Sequence, residues 1–282
     1  MKHLFWLFSA LFLILGTCGA QDGTPVSFTA ERYLAQPGEK LVIASKILNE
    51  TREIYIGLPD PYNDSIEYPL VLFLEGEVLF ETIAPLTRLM ADVNEIPACI
   101  VAGVPFHNKY LEYAPVITGQ PESGNADLML EFYRRELFPL LESRYSLSGD
   151  RIFWAHSALA GIFCTYLLLG PDEQFSGILS SSPSLKWMTD YVESEKPFEL
   201  LSRKRRVFYY LTIGDREGEE YMGDMYRRIE DFHRRLAEDA PPNLDWEFRL
   251  NENDTHFSNA IETYIDGLSL YFKRVKPGET TE

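Results

Sequence analysis

A serine at position 157 lies where an apolar run typical of a strand meets the start of a helical pattern. Residues 152–155 read Ile-Phe-Trp-Ala, and residues 158–169 begin with mostly small side chains and continue as apolar ones. A sharp turn from strand to helix lifts a serine Oγ above the edge of a sheet. The backbone N–H groups at the helix start then face the oxyanion that develops during acyl transfer. Ser157 is therefore a candidate nucleophile.

The residues around Ser157 depart from the usual form of such a turn. Small residues are favoured two positions before and two positions after the serine, because both positions pack against neighbouring backbone. Ala155 meets this requirement, whereas Leu159 does not. On this pattern alone, a serine that caps an ordinary helix is an equally good interpretation.

An acidic segment and then a histidine follow Ser157 along the chain, and each comes after a predicted strand. The apolar run 207–213 leads into Gly-Asp-Arg-Glu at 214–217, and the run 246–250 leads into a loop that holds His256 just before the last helical pattern. A serine, an acid and a histidine in this chain order, each after a strand, are typical of α/β hydrolases. This conjunction makes His256 a candidate general base, although His107 also follows a predicted strand end.

The elements that must position these residues alternate along the chain. Most of the predicted strands are continuously apolar, which is typical of parallel strands covered on both faces. Helical stripes lie between them, at 128–141, 222–236 and 261–272. The alternation predicts an α/β fold with a doubly wound, mostly parallel sheet, helices on both faces and antiparallel strands at one edge before Asn49. The predicted strands are 54–58, 70–74, 99–104, 152–155, 178–181, 207–213 and 246–250.

Size and charge limit the classes of partner. The chain has 282 residues, with 26 Lys and Arg against 43 Asp and Glu, and its formal net charge is −17. Nucleic acids and anionic membrane surfaces would be repelled, so neither is an expected partner. The sequence contains no Cys-x-x-Cys pair and no His-Glu-x-x-His pattern, so a zinc site has no sequence support. Nucleophilic catalysis by a serine, an acid and a histidine needs no metal and no cofactor, and we expect none.

The N-terminus has the features of an export signal. Lys2 and His3 precede an apolar run at 4–15 and a small-residue segment at 16–20. The run is too short to span a bilayer, and the small residues form an A-x-A-like cleavage site before Gln21. We therefore predict a signal peptide at 1–20, a periplasmic or secreted domain at 21–276 and a polar tail at 277–282. A buried N-terminal helix and a lipoprotein acylated at Cys18 are the alternatives.

Five longer stretches together resemble one known family. Residues 68–77 (YPLVLFLEGE) are similar to the family's YPVLYLLDGE, and residues 102–105 (AGVP) are similar to its VVGIPN. Residues 52–59, 123–139 and 175–187 match further motifs, including the family's SGGAD and ISPSLWW. The chain thus resembles the esterase D group of α/β hydrolases, and in particular its enterochelin-esterase-like and periplasmic siderophore-esterase branch.

The resemblance implies roles for the candidate residues. Ser157 would be the nucleophile and His256 the general base. Glu217 would be the triad acid, because Gly-Asp-Arg-Glu at 214–217 is similar to the Gly-x-Arg-Glu of siderophore esterases, and Asp215 is the second choice. The implied activity is that of an exported serine esterase that forms an acyl-enzyme and acts on a small-molecule ester.

The resemblance also implies an oxyanion hole and exposes two departures. The backbone N–H of Ala158, with that of Gly76 or Glu77, would bind the oxyanion. The first departure is that this turn is one residue longer than the family's. If the family motif is aligned forward from Arg151, Ser157 takes the nucleophile position. If it is aligned backward from Gly161, Ala158 takes that position instead. The second departure is that the family's Arg-Asp-Leu-Thr-Pro is replaced at residues 109–115. A catalytically impaired binding protein is therefore the alternative to an active esterase.

Overall fold

A computed structural model of the chain describes residues 14–19, 25–30, 38–117, 123–157, 159–170, 173–194, 197–203, 205–217 and 225–275. The chain divides into two units, Met1–Gln36 and Pro37–Glu282. In the first unit, strand β1 (Ile14–Gly19) pairs antiparallel with β2 (Pro25–Ala30), and Cys18 lies opposite Val26. Residues 1–13 of the predicted signal peptide lie outside the described residues, and the signal peptide stays a prediction.

The second unit is built on an eight-stranded sheet. Its order is β3-β4-β6-β5-β7-β8-β9-β10, in which β4 runs antiparallel to both of its neighbours and all the other pairs are parallel. This topology confirms the predicted mostly parallel α/β-hydrolase sheet with antiparallel strands at the N-terminal edge. The strands are β3 (Glu39–Ser45), β4 (Glu50–Gly57), β5 (Tyr68–Leu74), β6 (Ile100–Val104), β7 (Leu147–His156), β8 (Gly177–Ser181), β9 (Val207–Gly214) and β10 (Leu244–Asn251).

Helices connect the strands and cover both faces of the sheet. They are α1 (Gly76–Asp92), α2 (Lys109–Glu112), α3 (Ala126–Phe132), α4 (Phe138–Arg144), α5 (Ala160–Leu169), α6 (Thr189–Val192), α7 (Met225–Asp239) and α8 (His256–Val275). Short 3₁₀ turns form at Leu185–Met188 and Leu201–Arg203. Within the part of the chain that the structure describes, no helix has both the length and the apolarity needed to cross a bilayer.

The predicted helix at 128–141 is not regular. A π-helical turn at Tyr133–Leu137 joins α3 to α4. The apolar residues Phe132 and Leu137 are five positions apart, one more than an α-helix turn brings into line, and both are fully buried. The wider turn keeps both side chains on the core face.

Each central strand contributes side chains to two cores. Leu70 and Leu72 of β5 pack into the core under α3, α4, α5 and α7, whereas Val71 and Phe73 pack into the core under α1 and α8. All four side chains are buried. Burial on both faces is the physical reason that these strands are continuously apolar rather than alternating.

Helices α1 and α8 lie side by side on one face of the sheet. Thr87 Oγ1 and Tyr264 Oη are 2.5 Å apart near the middle of the two helices, and Lys273 Nζ donates to Glu95 Oε1 at 2.8 Å near their far ends. Each helix begins shortly after a parallel strand ends, α1 after β5 and α8 after β10. The N-terminal ends of both helices therefore lie at the carboxyl edge of the sheet.

The loop between β10 and α8 is fastened to the end of β9 through Asp254. The carbonyl oxygen of Asp254 accepts from the Arg216 N–H at 2.9 Å, and Asp254 Oδ1 accepts from Ser258 Oγ at 2.7 Å. Glu262, in the second turn of α8, lies beside Asp254 of this loop. A hydrogen bond with Asp254, together with burial and the charges of Asp254 and Asp266, raises the pKa of Glu262 from its usual 4.5 to about 7.

This carboxyl pair predicts a pH-dependent stability. Because the folded state raises the Glu262 pKa, the stability contributed by the bound proton is present below about pH 4.5 and is lost as the pH rises through about 7. Glu262→Gln keeps a neutral partner for Asp254 at every pH. We expect thermal melts to give the variant a higher Tm than the parent at pH 8 and a similar Tm at pH 4.5. The exposed Glu238→Gln on α7 is the control, and a Tm difference that does not vary with pH would contradict the interpretation.

The start of α5 is closely packed against the segment that follows β8. A Cβ atom at Gly161 would lie 2.8 Å from Cα of Pro183, whereas a Cβ at Gly149 would meet nothing within 4 Å. Overpacking of this kind costs about 1–3 kcal/mol. We expect Gly161→Ala to lower Tm by roughly 2–8 °C and Gly149→Ala to leave it nearly unchanged in a thermal melt. Equal Tm values for the two variants would show that α5 shifts freely away from Pro183.

Candidate active site

Ser157 occupies a strained turn between β7 and α5. Its backbone φ is +81°, a conformation that residues other than glycine rarely adopt. Its carbonyl oxygen accepts from the Gly161 N–H at 2.9 Å, which ties the serine to the first turn of α5. Such strain costs about 1–3 kcal/mol and is concentrated at functional sites. The turn therefore has the backbone form of a nucleophile elbow.

The structure shows how this elbow accommodates Leu159. The leucine is 8% exposed and packs into the core under α5, while Ala155, two residues before the serine, is also buried. Gly161, four residues after Ser157, approaches the backbone of Pro183 closely. The position two after the serine, where the motif favours a small residue, is occupied here by a leucine that packs into the core. Ala158 lies outside the described residues, and its role as an oxyanion donor stays a prediction.

His256 is the first residue of α8 and is paired with a buried carboxylate. Its Nδ1 lies 2.8 Å from Glu217 Oε2, and Glu217 is 4% exposed. Glu217 Oε1 accepts from the Gly214 N–H at 2.8 Å and from Ser182 Oγ at 2.6 Å. An ionised carboxylate is an acceptor only, and three donors converge on this one. The arrangement fixes the His256 ring with Nδ1 protonated and Nε2 available as an acceptor.

The other predicted acid takes a different position. Asp215 is exposed, and its backbone N–H donates to the Asn251 carbonyl oxygen at 3.0 Å. Glu217 follows two residues later in the turn after β9, where the chain has folded back toward the sheet. The structure brings Glu217 to His256 and leaves the Asp215 side chain facing solvent.

A buried polar network that the sequence analysis missed holds Glu217 in place. Asn259 Nδ2 donates to Ser181 Oγ at 2.9 Å and to Ser182 Oγ at 2.7 Å. Asn259 Oδ1 accepts from Asn251 Nδ2 at 2.9 Å. Two features of the sequence could have indicated this network. Consecutive serines stand at the end of an otherwise apolar strand, and an asparagine lies three residues, about one helical turn, after His256.

His156 supports the main chain of His256. The His156 side chain is buried, its Nε2–H donates to the His256 carbonyl oxygen at 2.9 Å, and the two ring centroids are 4.6 Å apart. Burial, followed by the charge of His256, lowers the pKa of His156 to about 4. His156 is therefore neutral near pH 7 and acts as a fixed donor that joins the elbow to the start of α8.

Ser157 and His256 lie on segments that are joined through His156 rather than directly. In the described part of the chain, no hydrogen bond connects Ser157 to the His256 ring. Hydrogen bonds between a nucleophile and its base are often long in unliganded enzymes and shorten when substrate binds.

The start of α1 supplies backbone N–H groups at the same edge of the sheet. The helix begins at Gly76, after Glu75 with φ of +60°, and the first N–H groups of any helix lack partners within the helix. A Cβ at Gly76 would lie 2.5 Å from the carbonyl carbon of Gly103, so only glycine fits there. Gly76 and Glu77 directly follow β5, which neighbours β7 in the sheet.

His107 belongs to a different network. It is exposed, and its Nδ1 lies 3.0 Å from Glu50 Oε2. Glu50 in turn accepts from the buried Arg52, which also donates to Glu112 at 3.0 Å. The network ties the loop after β6 to strand β4, and it gives His107 a structural setting apart from Ser157.

Known proteins are similar to this chain over most of its length. The ferri-bacillibactin esterase BesA of Bacillus subtilis (strain 168) is 24% identical over 262 residues, which cover 84% of this chain and 88% of BesA. The BES protein from Bacillus cereus superposes with a TM-score of 0.73 at 22% identity, covering 85% of this chain and 97% of that one. An IroE-like serine hydrolase from Shewanella oneidensis gives a TM-score of 0.69 at 25% identity, covering 84% and 80%.

The family match agrees with the topology and with these similarities. The family described as "Putative esterase" matches residues 45–241, which is more than half of the chain. The matched range holds the elbow, the strands on both sides of it and the Glu217 turn. The chain therefore belongs to this esterase family of α/β hydrolases and is an esterase.

Proposed function

We propose that the protein is a serine esterase in which Ser157 is the nucleophile, His256 the general base and Glu217 the orienting acid. The observation that supports this most is the 2.8 Å contact between His256 Nδ1 and the buried Glu217 carboxylate, at the sheet edge where Ser157 has its strained φ. The acid fixes the tautomer of the base, and the base accepts the proton of the nucleophile.

The proposed reaction has two balanced steps. Ser157 Oγ attacks the ester carbonyl carbon while His256 Nε2 takes the hydroxyl proton, and the bond to the alcohol oxygen then breaks as His256 returns that proton to it. Water next attacks the acyl carbonyl carbon while His256 takes a proton from it, and the bond to Ser157 Oγ then breaks as His256 returns that proton to the serine and the carboxylic acid leaves. The N–H groups of Ala158 and of Gly76 or Glu77 would bind the oxyanion in both steps.

The setting of the enzyme is also part of the proposal. The charged and apolar pattern of residues 1–20 supports export to the periplasm or outside the cell, with acylation at Cys18 as the alternative to cleavage. The substrate is a small-molecule ester, and the similarity to BesA makes siderophore esters the first class to assay.

A ligand-binding protein with an impaired triad is the second candidate. The observation that favours it is that Ser157 and His256 are not joined by a hydrogen bond among the described residues. The two candidates differ in whether Ser157 reacts with an acylating probe, which separates them without knowledge of the natural substrate.

The nucleophile is tested by substitution and by labelling. We expect Ser157→Ala to abolish hydrolysis of p-nitrophenyl and feruloyl esters and to abolish labelling by a fluorophosphonate. Alanine keeps the same Cβ at the strained φ, so Tm should change little. Ser143→Ala on the exposed side of α4 is the control and should keep full labelling. An unlabelled parent chain would favour the ligand-binding candidate, and undiminished turnover by Ser157→Ala would remove the serine from its role.

The acid is tested by a pair of amide substitutions. In Glu217→Gln, Oε1 still accepts from Gly214 and Ser182, but the amide NH₂ faces His256 Nδ1 and favours the wrong tautomer. We expect kcat to fall by about 10³–10⁴-fold, as for acid-to-amide changes in other triads. Asp215→Asn should retain nearly full kcat. A larger loss in Asp215→Asn would move the acid to that residue.

A further inference from the structure

The backbone of Ser182, directly after β8, is strained. Its φ is +52°, and its side chain is fully buried. Glycine is the usual residue at such a φ, and Ser182 also precedes Pro183, before which an extended backbone is preferred. Strain of this kind persists only where the surrounding structure enforces it, and it is concentrated at functional sites. The presence of a serine rather than a glycine therefore indicates that its hydroxyl is used.

The hydroxyl of Ser182 connects the proposed acid to helix α8. Ser182 Oγ donates to Glu217 Oε1 at 2.6 Å and accepts from Asn259 Nδ2 at 2.7 Å. All three side chains are buried, so bulk water does not compete for these contacts. A hydroxyl has one proton, and a carboxylate can only accept. The proton of Ser182 is therefore committed to Glu217.

The amide of Asn259 fixes the direction of this hydrogen bond. Asn251 Nδ2 donates to Asn259 Oδ1 at 2.9 Å, so Asn259 presents its NH₂ group to two serines. The two hydrogens of Nδ2 go to Ser181 Oγ at 2.9 Å and to Ser182 Oγ. In the reversed amide, Oδ1 would face Ser182 and compete with Glu217 for its proton. Asn259 thus leaves Glu217 as the acceptor of that proton.

The two oxygens of Glu217 are divided between different partners. Oε1 accepts from Ser182 Oγ and from the Gly214 N–H at 2.8 Å, which leaves Oε2 for His256 Nδ1 at 2.8 Å. Because the two donors on Oε1 come from different strand ends, the carboxylate cannot rotate without losing both. Asn259 lies three residues after His256 on α8, so the same helix carries the base and restrains the acid.

We propose that Ser182 is a positioning residue of the triad. It holds Glu217 Oε2 toward His256 and thereby keeps His256 in the tautomer with Nδ1 protonated. The inference rests on the proposed function, because that function assigns Glu217 and His256 their roles. Ser182 acts through Glu217 and not on the substrate, so its loss lowers the rate of the chemical step and leaves substrate binding unchanged.

The test removes the Ser182 hydroxyl in two ways. Ser182→Ala keeps a Cβ at the strained φ, whereas Ser182→Gly removes the hydroxyl and adopts that φ freely, so the glycine variant keeps the fold. We expect both variants to lower kcat on p-nitrophenyl acetate by about tenfold and to keep KM within about twofold. Thr212→Val is the matched control, because it removes another fully buried hydroxyl, 2.5 Å from Thr263 Oγ1, and it should keep the parent kcat.

The tautomer of His256 is measured without turnover. Long-range ¹H–¹⁵N NMR spectra of the protein labelled with ¹⁵N-histidine, recorded at pH 8, show which ring nitrogen carries the proton. We expect Nδ1 to be protonated in the parent and in Thr212→Val, and a detectable fraction protonated at Nε2 in both Ser182 variants. The parent tautomer in both Ser182 variants would overturn the proposal, as would an equal loss of kcat in Thr212→Val.

The two proposals fail in different ways. A parent chain that fluorophosphonate does not label refutes the proposed triad, and the tautomer of His256 still tests the role of Ser182 in that case. A labelled parent whose Ser182 variants keep both kcat and the tautomer refutes the positioning role alone.

Discussion

The burial of the Glu217 carboxylate is the constraint on which the rest of the site depends. A carboxylate with 4% exposure is expensive to bury unless donors surround it, and here they come from three elements: the end of β9, the end of β8 and the start of α8. Because the donors are a backbone N–H, a hydroxyl and an imidazole, the charge is satisfied only when all three elements meet. The buried carboxylate thus couples the position of His256 to the correct packing of the sheet edge.

The sheet makes this meeting unavoidable. Parallel strands bring their carboxyl ends to one edge, and burial on both faces leaves that edge as the place where polar side chains emerge. Gly214 ends β9 so close to Asp254 that a Cβ would lie 2.4 Å from its carbonyl oxygen. His156 then ties the end of β7 to the start of α8. Each of these contacts holds the loop before His256 against a strand end.

The architecture was predictable because its signals are local and repeated. Continuous apolar runs indicated parallel strands. The order of Ser157, the acidic turn and His256, each after a strand, indicated that the site lies at the carboxyl edge of the sheet. The distinction between Asp215 and Glu217 came only from family resemblance, since two acids in one turn have the same local pattern. The turn itself decides which carboxylate folds inward, and that depends on contacts with β8 and α8 that no local pattern records.

The elbow and the polar network were the less predictable parts. The sequence showed that Leu159 departs from the motif, but it did not show that the leucine packs into the core or that Gly161 approaches the backbone of Pro183 closely. Asn259 acts through Ser182 across 77 residues of chain. The central claim is that Ser157 carries the acyl group during turnover. Rapid acid quenching of the protein with p-nitrophenyl acetate, followed by peptide mass mapping, tests this most directly. We predict an acetyl group on the peptide that contains Ser157; turnover with the acetyl group elsewhere, or with no acetylated peptide, would contradict it.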